Sequence, residues 1–314
     1  MCLRVKYLRN NRFKRETTTQ GKMSERGKSS FESFLKSISL PVRVKGRSNF
    51  ESFLKSISLP VRVKFHTEKR VGSSSSRGKE ERVKKPHLRL GDIWSAYDEW
   101  STNCVGVPLT LKDSWTIANQ YYAPTLSAIQ IFTKKPFVDD GSSSSSSSSS
   151  RSFGEDCHLY FEYNETMSLE AARPTLTMMF EELAKKHHGL NTLRTSDLSE
   201  NSWFSITWSR GIQIPAVKTL NQYFLTYHSL TPVIPETIPK KTKVELPAFG
   251  VLTTKLDKVW IMPGTSDQEI INRLEESAAS WLGKRMFSHS DFDMFMAEKS
   301  KDLPFSSGVV TGEW

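Results

Sequence analysis

The stretch from Leu90 to Phe132 constrains the fold of this chain more than any other. Four large apolar residues recur at helical spacing near its start: Ile93, Trp94, Tyr97 and Trp100. That spacing predicts one short helix with an aromatic face. The segment QYYAPTLSAIQIF, which ends the stretch, is too apolar to face water on one side, so it predicts a buried strand. A helix and a buried strand so close together predict the start of a core.

Alternating and helical patterns continue through the rest of the chain. Two strands are predicted from inward residues that alternate with polar ones: Leu159, Phe161 and Tyr163 in HLYFEYN, and Phe204, Ile206 and Trp208 in SWFSITW. Further strands are predicted in QYFLTYHSL and LPAFGVLTTKLDKVWIM. Two helices are predicted from apolar stripes: Leu176, Met179, Phe180, Leu183 and His187, then Ile270, Ile271, Leu274, Ala278, Trp281 and Leu282. The order of these elements predicts an α+β fold, with an antiparallel sheet of about five to six strands and two or three packed helices.

Charge divides the chain into two parts. Residues 1–90 carry twenty-four Lys and Arg against seven Glu and no Asp, a net charge of +17. The whole chain carries +10, so residues 91–314 carry −7. A basic arm of this kind can contact nucleic acid, anionic lipid, an import receptor or the acidic body of its own chain, or it can simply be solvated.

Composition also predicts the domain organisation. Gly141 and nine consecutive serines after it cannot form a core, so they predict a disordered surface loop. A phosphorylation platform is the more specific interpretation of those serines, and tolerated low complexity is the simpler one. We expect four parts: a basic, largely disordered arm over residues 1–87, a single α+β domain over residues 88–300, the serine loop over residues 139–153 inside it, and a flexible tail over residues 301–314.

One segment of the arm occurs twice. FESFLKSISLPVRVK stands at Phe31 to Lys45 and again, unchanged, at Phe50 to Lys64. Each copy predicts a short amphipathic helix that ends before a proline, within residues 30–45 and 49–64. Two identical copies are typical of a recent in-frame duplication or of an error in the gene model, because solenoid repeats stack several diverged units. We expect that only the second copy docks on the body, through four apolar residues: Phe50, Phe53, Leu54 and Ile57.

The cysteines and the apolar runs indicate an intracellular protein. Cys2, Cys104 and Cys157 are odd in number and show no paired spacing, which is typical of a reducing compartment. No run approaches the ~18 apolar residues of a membrane span, and we expect neither a span nor a secretory signal. The first fifteen residues suit an organellar transit peptide as well as a nuclear signal. We expect the nucleus or the cytoplasm, with an organelle as the alternative.

The search for catalytic and metal-binding motifs leaves three constellations. No P-loop, dinucleotide fingerprint, nucleophile elbow or zincin motif occurs in the sequence. His289, Asp291 and Asp293 in SHSDFDMF are weak candidate ligands for a divalent metal, because the set is short of donors. Cys157 and His158 are residue types that can act as nucleophile and base. They are neighbours on a predicted strand, however, so their side chains point to opposite faces and do not meet. Asp98 with Glu99 suits a solvated helix face better than a catalytic pair. We expect no catalytic residue and no cofactor.

Several segments together resemble a plant family known as domain of unknown function 789. They are LGDIWSAYDEWSTNCVGVPLTL, QYYAPTLSAIQIF, LYFEYNET, LNTLRTSDLSENSWFSITW, QYFLTYHSL and LPAFGVLTTKL, with HSDFDMF after them. FESFL is similar to a short element that precedes the body in that family, where it is present once. The residues from Glu99 to Cys104 depart from the family, which tends to read EWSAYG there. The resemblance implies no established activity, cofactor or catalytic residue.

Three hypotheses for the function follow. The first is a non-catalytic interaction or regulatory module, with protein partners, that works through its basic arm and serine loop. The second is a nucleic-acid-associated protein held by the arm, whose binding depends on salt. The third is an enzyme of unrecognised type with a pocket beside the Trp94 and Trp100 helix.

Overall fold

A computed structural model of the protein shows a six-stranded antiparallel sheet at the centre of the fold. Most of the arm, including the first repeat copy, lies outside the described residues, and so do the serine loop and the tail beyond residue 301. The described residues belong to one compact unit, Val42–Trp314. The structure describes residues 48–58, 60–62, 87–110, 117–136, 157–169, 171–210, 223–232, 243–254, 259–261 and 264–301.

The strands confirm the predicted fold class and sheet. In chain order they are β1 (Pro60–Arg62), β2 (Val105–Thr110), β3 (Ile117–Thr133), β4 (His158–Asn164), β5 (Trp203–Arg210), β6 (Phe224–Ser229), β7 (Lys243–Glu245) and β8 (Ala248–Thr253). The large sheet has the order β2, β3, β5, β6, β8, with β4 paired to β3. All these pairs are antiparallel, and β1 pairs with β7 in a separate two-stranded sheet.

The 17-residue strand β3 is the axis of the sheet. One of its sides pairs with β5, while β2 pairs with its first six residues and β4 with its last six. Pro124 therefore lies between the part of β3 that pairs with β2 and the part that pairs with β4. Its missing backbone N–H removes no hydrogen bond to either of these two strands. A register shift at Ser127 bends the same region.

Strand β4 departs from the alternation predicted for it. Its register on β3 skips Tyr160, because Ile131 pairs with Phe161 and Phe132 pairs with Leu159. A bulge of one residue moves the side chains beyond it to the opposite face. Leu159, predicted to point inward with Phe161, is 38% exposed, whereas Phe161 is buried.

Seven helices are present in the part of the chain that the structure describes, more than the two or three expected from sequence. They are α1 (Asn49–Ile57), α2 (Leu90–Ser95), α3 (Asp98–Asn103), α4 (Leu176–Lys186), α5 (Gly189–Thr192), α6 (Asp267–Arg285) and α7 (Ser290–Lys301). None of these helices combines the length and the apolar character needed to cross a bilayer.

The single aromatic helix predicted near residue 90 is broken into α2 and α3. In a straight helix, side chains six positions apart point about 120° away from each other, so Trp94 and Trp100 would not share a face. The turn between α2 and α3 lets both reach the core. Trp94 stacks on Phe180 with ring centroids 3.7 Å apart, and Trp100 meets Trp208 at 5.8 Å.

The core also includes α1, which the sequence analysis counted with the arm. Three of its side chains, Phe50, Phe53 and Ile57, are 0% exposed and belong to the main hydrophobic cluster. Residues Ser205 and Thr207, on the other face of β5 from Phe204 and Ile206, are buried as well. Both faces of the central strands are therefore covered.

Candidate functional site

The last helix, α7, brings two of the three predicted metal ligands onto the sheet. His289 precedes the helix and Asp291 lies in its first turn, and the two residues are 1% and 0% exposed. An aspartate in the first turn is favoured by the positive end of the helix dipole, which helps SHSDFDMF to begin a helix. Asp293 is exposed and does not join the other two.

The carboxylate of Asp291 accepts four hydrogen bonds from three parts of the chain. Its Oδ2 accepts from Ser127 Oγ at 2.5 Å in β3, from Thr207 Oγ1 at 2.7 Å in β5, and from Arg173 Nη1 at 2.7 Å. Its Oδ1 accepts from Arg173 Nη2 at 2.8 Å. The arginine pairs with the carboxylate through two parallel bonds, which is the strongest geometry for this pair.

These contacts determine the charges of the pair. Burial alone raises the pKa of Asp291, but hydrogen bonds from Arg173 and Ser127, together with the Arg173 charge, hold that pKa below its ordinary value. Burial alone lowers the pKa of Arg173, and the Asp291 carboxylate outweighs it and raises that pKa above its ordinary value. Both groups are charged at neutral pH, so the network contains a buried ion pair.

The hydrogen-bond partners of His289 define its tautomer. Its Nε2 lies 2.8 Å from Ser127 Oγ, and its Nδ1 lies 2.8 Å from Tyr227 Oη. Burial lowers the pKa of His289 to about 4, so the ring is neutral at pH 7 and carries one proton. Because the ionised Asp291 can only accept, Ser127 donates its proton there and must receive the proton of His289 Nε2. We infer a single directed chain, in which Tyr227 donates to His289, His289 to Ser127, and Ser127 to Asp291.

This order is opposite to that of a nucleophilic serine. In a serine hydrolase the histidine accepts the serine proton and the aspartate holds the other ring nitrogen. Here Ser127 donates to the aspartate directly, and the second nitrogen of His289 faces Tyr227. All four residues are buried. The arrangement therefore differs from a Ser-His-Asp triad.

The same residues do not fit a metal ion. Both oxygens of Asp291 already accept hydrogen bonds from protein groups, and in the inferred tautomer the Nε2 of His289 carries a proton. A ligand nitrogen must present a lone pair, and Nδ1 of His289 uses its lone pair for Tyr227. Among the described residues no group of three or more His, Cys, Asp or Glu is placed to hold a metal ion.

A loop after β4 extends the network. Glu165 accepts from Tyr163 Oη at 2.9 Å and from the backbone N–H groups of Thr166 and Met167, each at 2.9 Å. Arg173 Nη2 donates to the carbonyl oxygen of Met167. The network therefore connects β3, β5, β6, α7 and this loop.

Four members of the network were not found from sequence: Ser127, Arg173, Thr207 and Tyr227. The available signal was a polar residue at an inward position of an apolar strand. Ser127 stands within APTLSAIQIF, and a buried hydroxyl without a partner is costly, so such a residue requires one. The identity of the partner, 164 positions away in the chain, has no local signal.

The two other catalytic candidates, Cys157 with His158 and Asp98 with Glu99, lie outside the network around Asp291. Cys157 Sγ lies 3.6 Å from Ser199 Oγ and 3.4 Å from Asn201 Nδ2, so these two residues are its polar neighbours. The adjacent His158 occupies a β4 position where its backbone pairs with β3. The pair Asp98–Glu99 is exposed on α3.

A second feature of the structure is a cluster of aromatic residues that packs against α1. Phe53 stacks on Phe224 with centroids 4.0 Å apart, and it lies 5.9 Å from Tyr122 and 6.1 Å from Trp260. We call Tyr122, Phe224 and Trp260 the aromatic socket. Leu54, the fourth predicted docking residue, is partly buried against the same core.

Asn49, the first residue of α1, fastens the helix to β2. Thr110 N–H donates to Asn49 Oδ1 at 2.7 Å, and Asn49 Nδ2 donates to Thr110 O at 3.0 Å and to Val259 O at 2.7 Å. The side-chain amide therefore pairs with Thr110 as a neighbouring strand would. The N-cap Ser48 accepts from Glu51 N–H at 3.0 Å, which satisfies one free donor of the first turn.

Fold and site together define an α+β protein with a buried polar network around Asp291 and a helix held in an aromatic socket. The chain belongs to the family described as Protein of unknown function (DUF789), whose model matches residues 48–152 and 136–295, as the resemblance of the sequence indicated. The match begins at the N-cap of α1. Comparisons with curated proteins and with solved structures gave no match.

Proposed function

We propose that the protein is a non-catalytic interaction module. The α+β body carries a basic N-terminal arm, and the arm contacts protein partners. The body holds α1 through three buried side chains and the hydrogen bonds of Asn49. We also propose that the protein is located in the nucleus or the cytoplasm.

The burial of Ser127, His289 and Asp291, with their polar atoms bonded to protein groups, is the observation that carries the proposal. Serine, histidine and aspartate meet in the centre of the body, which is the arrangement that an acyl-transfer enzyme would use. Their order is reversed, and each residue is buried with its polar atoms bonded to protein. A body built in this way supports a role as a scaffold better than a role as a catalyst.

The charge division supports the arm as the contacting part. Residues 1–90 have a net charge of +17 and residues 91–314 a net charge of −7, so an acidic partner surface would be attracted to the N-terminal part of the chain and repelled by the rest. Such an arrangement favours association through the arm and gives contact that weakens with salt.

Affinity purification from extracts of the source organism tests the proposal. Three baits are compared: the full chain, a chain that starts at Arg47, and a full chain in which Lys and Arg of residues 1–30 are replaced by Gln. The second bait keeps α1 and its Asn49 bonds, so its body remains folded. We expect the first bait to retain proteins that both other baits lose. Equal recovery by all three would contradict a role for the arm.

A nucleic-acid partner is the second candidate, and the same charge favours it. Contact through Lys and Arg with phosphates releases counterions, so the affinity for any DNA or RNA should fall steeply with salt and depend little on sequence. Filter binding of the full chain to a random 30-mer at about 50 and 200 mM salt would test this. A chain that binds equally at both concentrations would rule this mode out.

A further inference from the structure

The repeated unit is longer than the identical fifteen residues, and it contains an informative difference. Residues 27–45 read GKSSFESFLKSISLPVRVK and residues 46–64 read GRSNFESFLKSISLPVRVK. The two units of 19 residues differ only where Lys28 corresponds to Arg47 and Ser30 corresponds to Asn49. The second unit contains α1 and β1, so its contacts show what the first unit shares with it.

The first unit carries all the apolar residues that seat α1. Phe31, Phe34, Leu35 and Ile38 correspond to the four docking residues of the second unit: Phe50, Phe53, Leu54 and Ile57. The cap is shared too, because Ser29 and Glu32 correspond to Ser48 and Glu51. The apolar side chains of the first unit are therefore complementary to the aromatic socket in the same way as those of α1.

Because Asn49 corresponds to Ser30, we expect the two units to have different affinities for the aromatic socket. Asn49 makes three hydrogen bonds, to both backbone groups of Thr110 and to the carbonyl of Val259. A serine at that position has one hydroxyl in place of an amide, so it cannot pair with both groups of Thr110 at once. Losing these bonds weakens the docked state roughly tenfold to a hundredfold.

We propose that the aromatic socket is a binding site for this helix sequence and that it has two ligands on the same chain. The second unit occupies it in most molecules, and the first unit occupies the same place in a minor fraction. Docking the first unit lengthens the connection to the body by 19 residues, which costs about a factor of two to three. With the lost Asn49 bonds, the minor fraction is on the order of one molecule in a hundred.

The proposal also defines the class of ligand that the socket accepts. The ligand is a short amphipathic helix with an N-cap serine and apolar side chains spaced as in Phe50, Phe53, Leu54 and Ile57, and an asparagine after the serine strengthens its binding. The asparagine sets the affinity and the aromatic residues provide the buried surface. This inference holds whichever partner the basic arm contacts, so it can fail without affecting the proposed function.

Substitutions in the full chain test the exchange by urea denaturation. Phe53→Ala removes the central contact of α1, and Phe34→Ala removes the corresponding residue of the first unit. A Phe→Ala change in a core lowers the folding equilibrium constant about a hundredfold or more. We expect Phe34→Ala alone to have no effect, because the first unit is seldom docked. We expect the double variant Phe34→Ala/Phe53→Ala to show the full loss.

The decisive variant adds Ser30→Asn to Phe53→Ala. The first unit then has the asparagine and all four apolar residues, and it should replace α1 in the socket. We expect the equilibrium constant to return to within about threefold of the unsubstituted chain, which is the cost of the longer connection alone. Stability of Ser30→Asn/Phe53→Ala equal to that of the Phe34→Ala/Phe53→Ala chain would overturn the proposal. Rescue that is lost on dilution would overturn it as well, by showing exchange between molecules.

Peptide binding gives an independent measurement. A fluorescently labelled peptide of residues 27–45 is added to the Phe34→Ala/Phe53→Ala chain and its anisotropy is followed. The same peptide with Ser30→Asn should bind roughly tenfold to a hundredfold more tightly, and the Ser30→Asn peptide with Phe34→Ala should not bind. No binding by the Ser30→Asn peptide, or equal binding with and without Phe34→Ala, would contradict a sequence-specific socket.

Discussion

Two buried histidines predict that the protein loses stability between pH 6.5 and 4. His289 lies between Ser127 and Tyr227, and His228 has Nε2 at 2.8 Å from Thr226 Oγ1 and Nδ1 at 2.8 Å from Leu246 O. Burial lowers the pKa of each ring to about 4. In His289 the Asp291 carboxylate opposes that shift and Arg173 adds to it.

The sign and the size of the effect follow from linkage. An unfolded histidine has a pKa of about 6.5, so below that pH the unfolded chain takes up a proton that the folded chain does not. Each histidine therefore lowers the free energy of unfolding by about 1.4 kcal/mol per pH unit as the pH falls towards 4. The two together remove about 6 kcal/mol over the window, which is comparable to the ~5–15 kcal/mol that stabilises a typical domain.

Urea titrations at pH 7, 6, 5 and 4.5 measure this slope. We expect the unsubstituted chain to lose about 2.7 kcal/mol per pH unit, and the variants His228→Gln and His289→Gln to lose about half as much. Asp291 does not interfere in this window. Its pKa is lowered, so its contribution is present above the ordinary carboxylate pKa and is lost only as the pH falls towards its lowered value. A flat profile from pH 6.5 to 4.5, or equal slopes in all three chains, would show that His228 and His289 do not cause the loss of stability.

Three further predictions concern single contacts. Asp291→Asn removes the paired carboxylate of the buried Arg173 guanidinium and leaves it, as counter-charge, only the Coulombic attraction of Glu165, so it should cost about 3–5 kcal/mol by urea denaturation, while Asp291→Asn/Arg173→Met should cost less than the sum of its single changes; additive costs would contradict a coupled pair. Gly250→Ala should cost about 1–3 kcal/mol by urea denaturation, because a Cβ there would lie 2.9 Å from the Cβ and 3.1 Å from the Cα of Ala278 in α6; a cost below about 0.5 kcal/mol would contradict this close packing. Deleting residues 31–46 should leave the melting temperature unchanged, because Ser48 and Asn49 keep α1 docked; a drop of several degrees would show that the first unit supports the body.

Much of the fold could be predicted because its signals are local. The alternation in SWFSITW predicts a strand with Phe204, Ile206 and Trp208 on one face, and the structure confirms it in β5. The stripe that includes Ile270 and Leu274 predicts a helix, and α6 has these residues buried. Hydrophobic period is a property of neighbouring residues, so it is visible without the tertiary structure.

The features that sequence did not predict depend on residues far apart. The hydrophobic periodicity near residue 90 predicts a helix with aromatic residues. It does not show that this helix must be divided into α2 and α3 for both Trp94 and Trp100 to reach the core. Ser127 is visible as a polar residue in an apolar strand, and its bonds to Asp291 and His289 require the register of three strands and the position of α7. Such contacts have no signature within a local window.

The tautomer of His289 distinguishes a structural network around Ser127 from a catalytic one. Long-range 15N–1H correlation spectra of the imidazole ring at pH 7, assigned with the His289→Gln variant, show which nitrogen carries the proton. We predict a proton on Nε2, which donates to Ser127, and a lone pair on Nδ1, which accepts from Tyr227. A proton on Nδ1, with Nε2 free to accept from Ser127, would be the arrangement of an activated serine and would contradict the non-catalytic account.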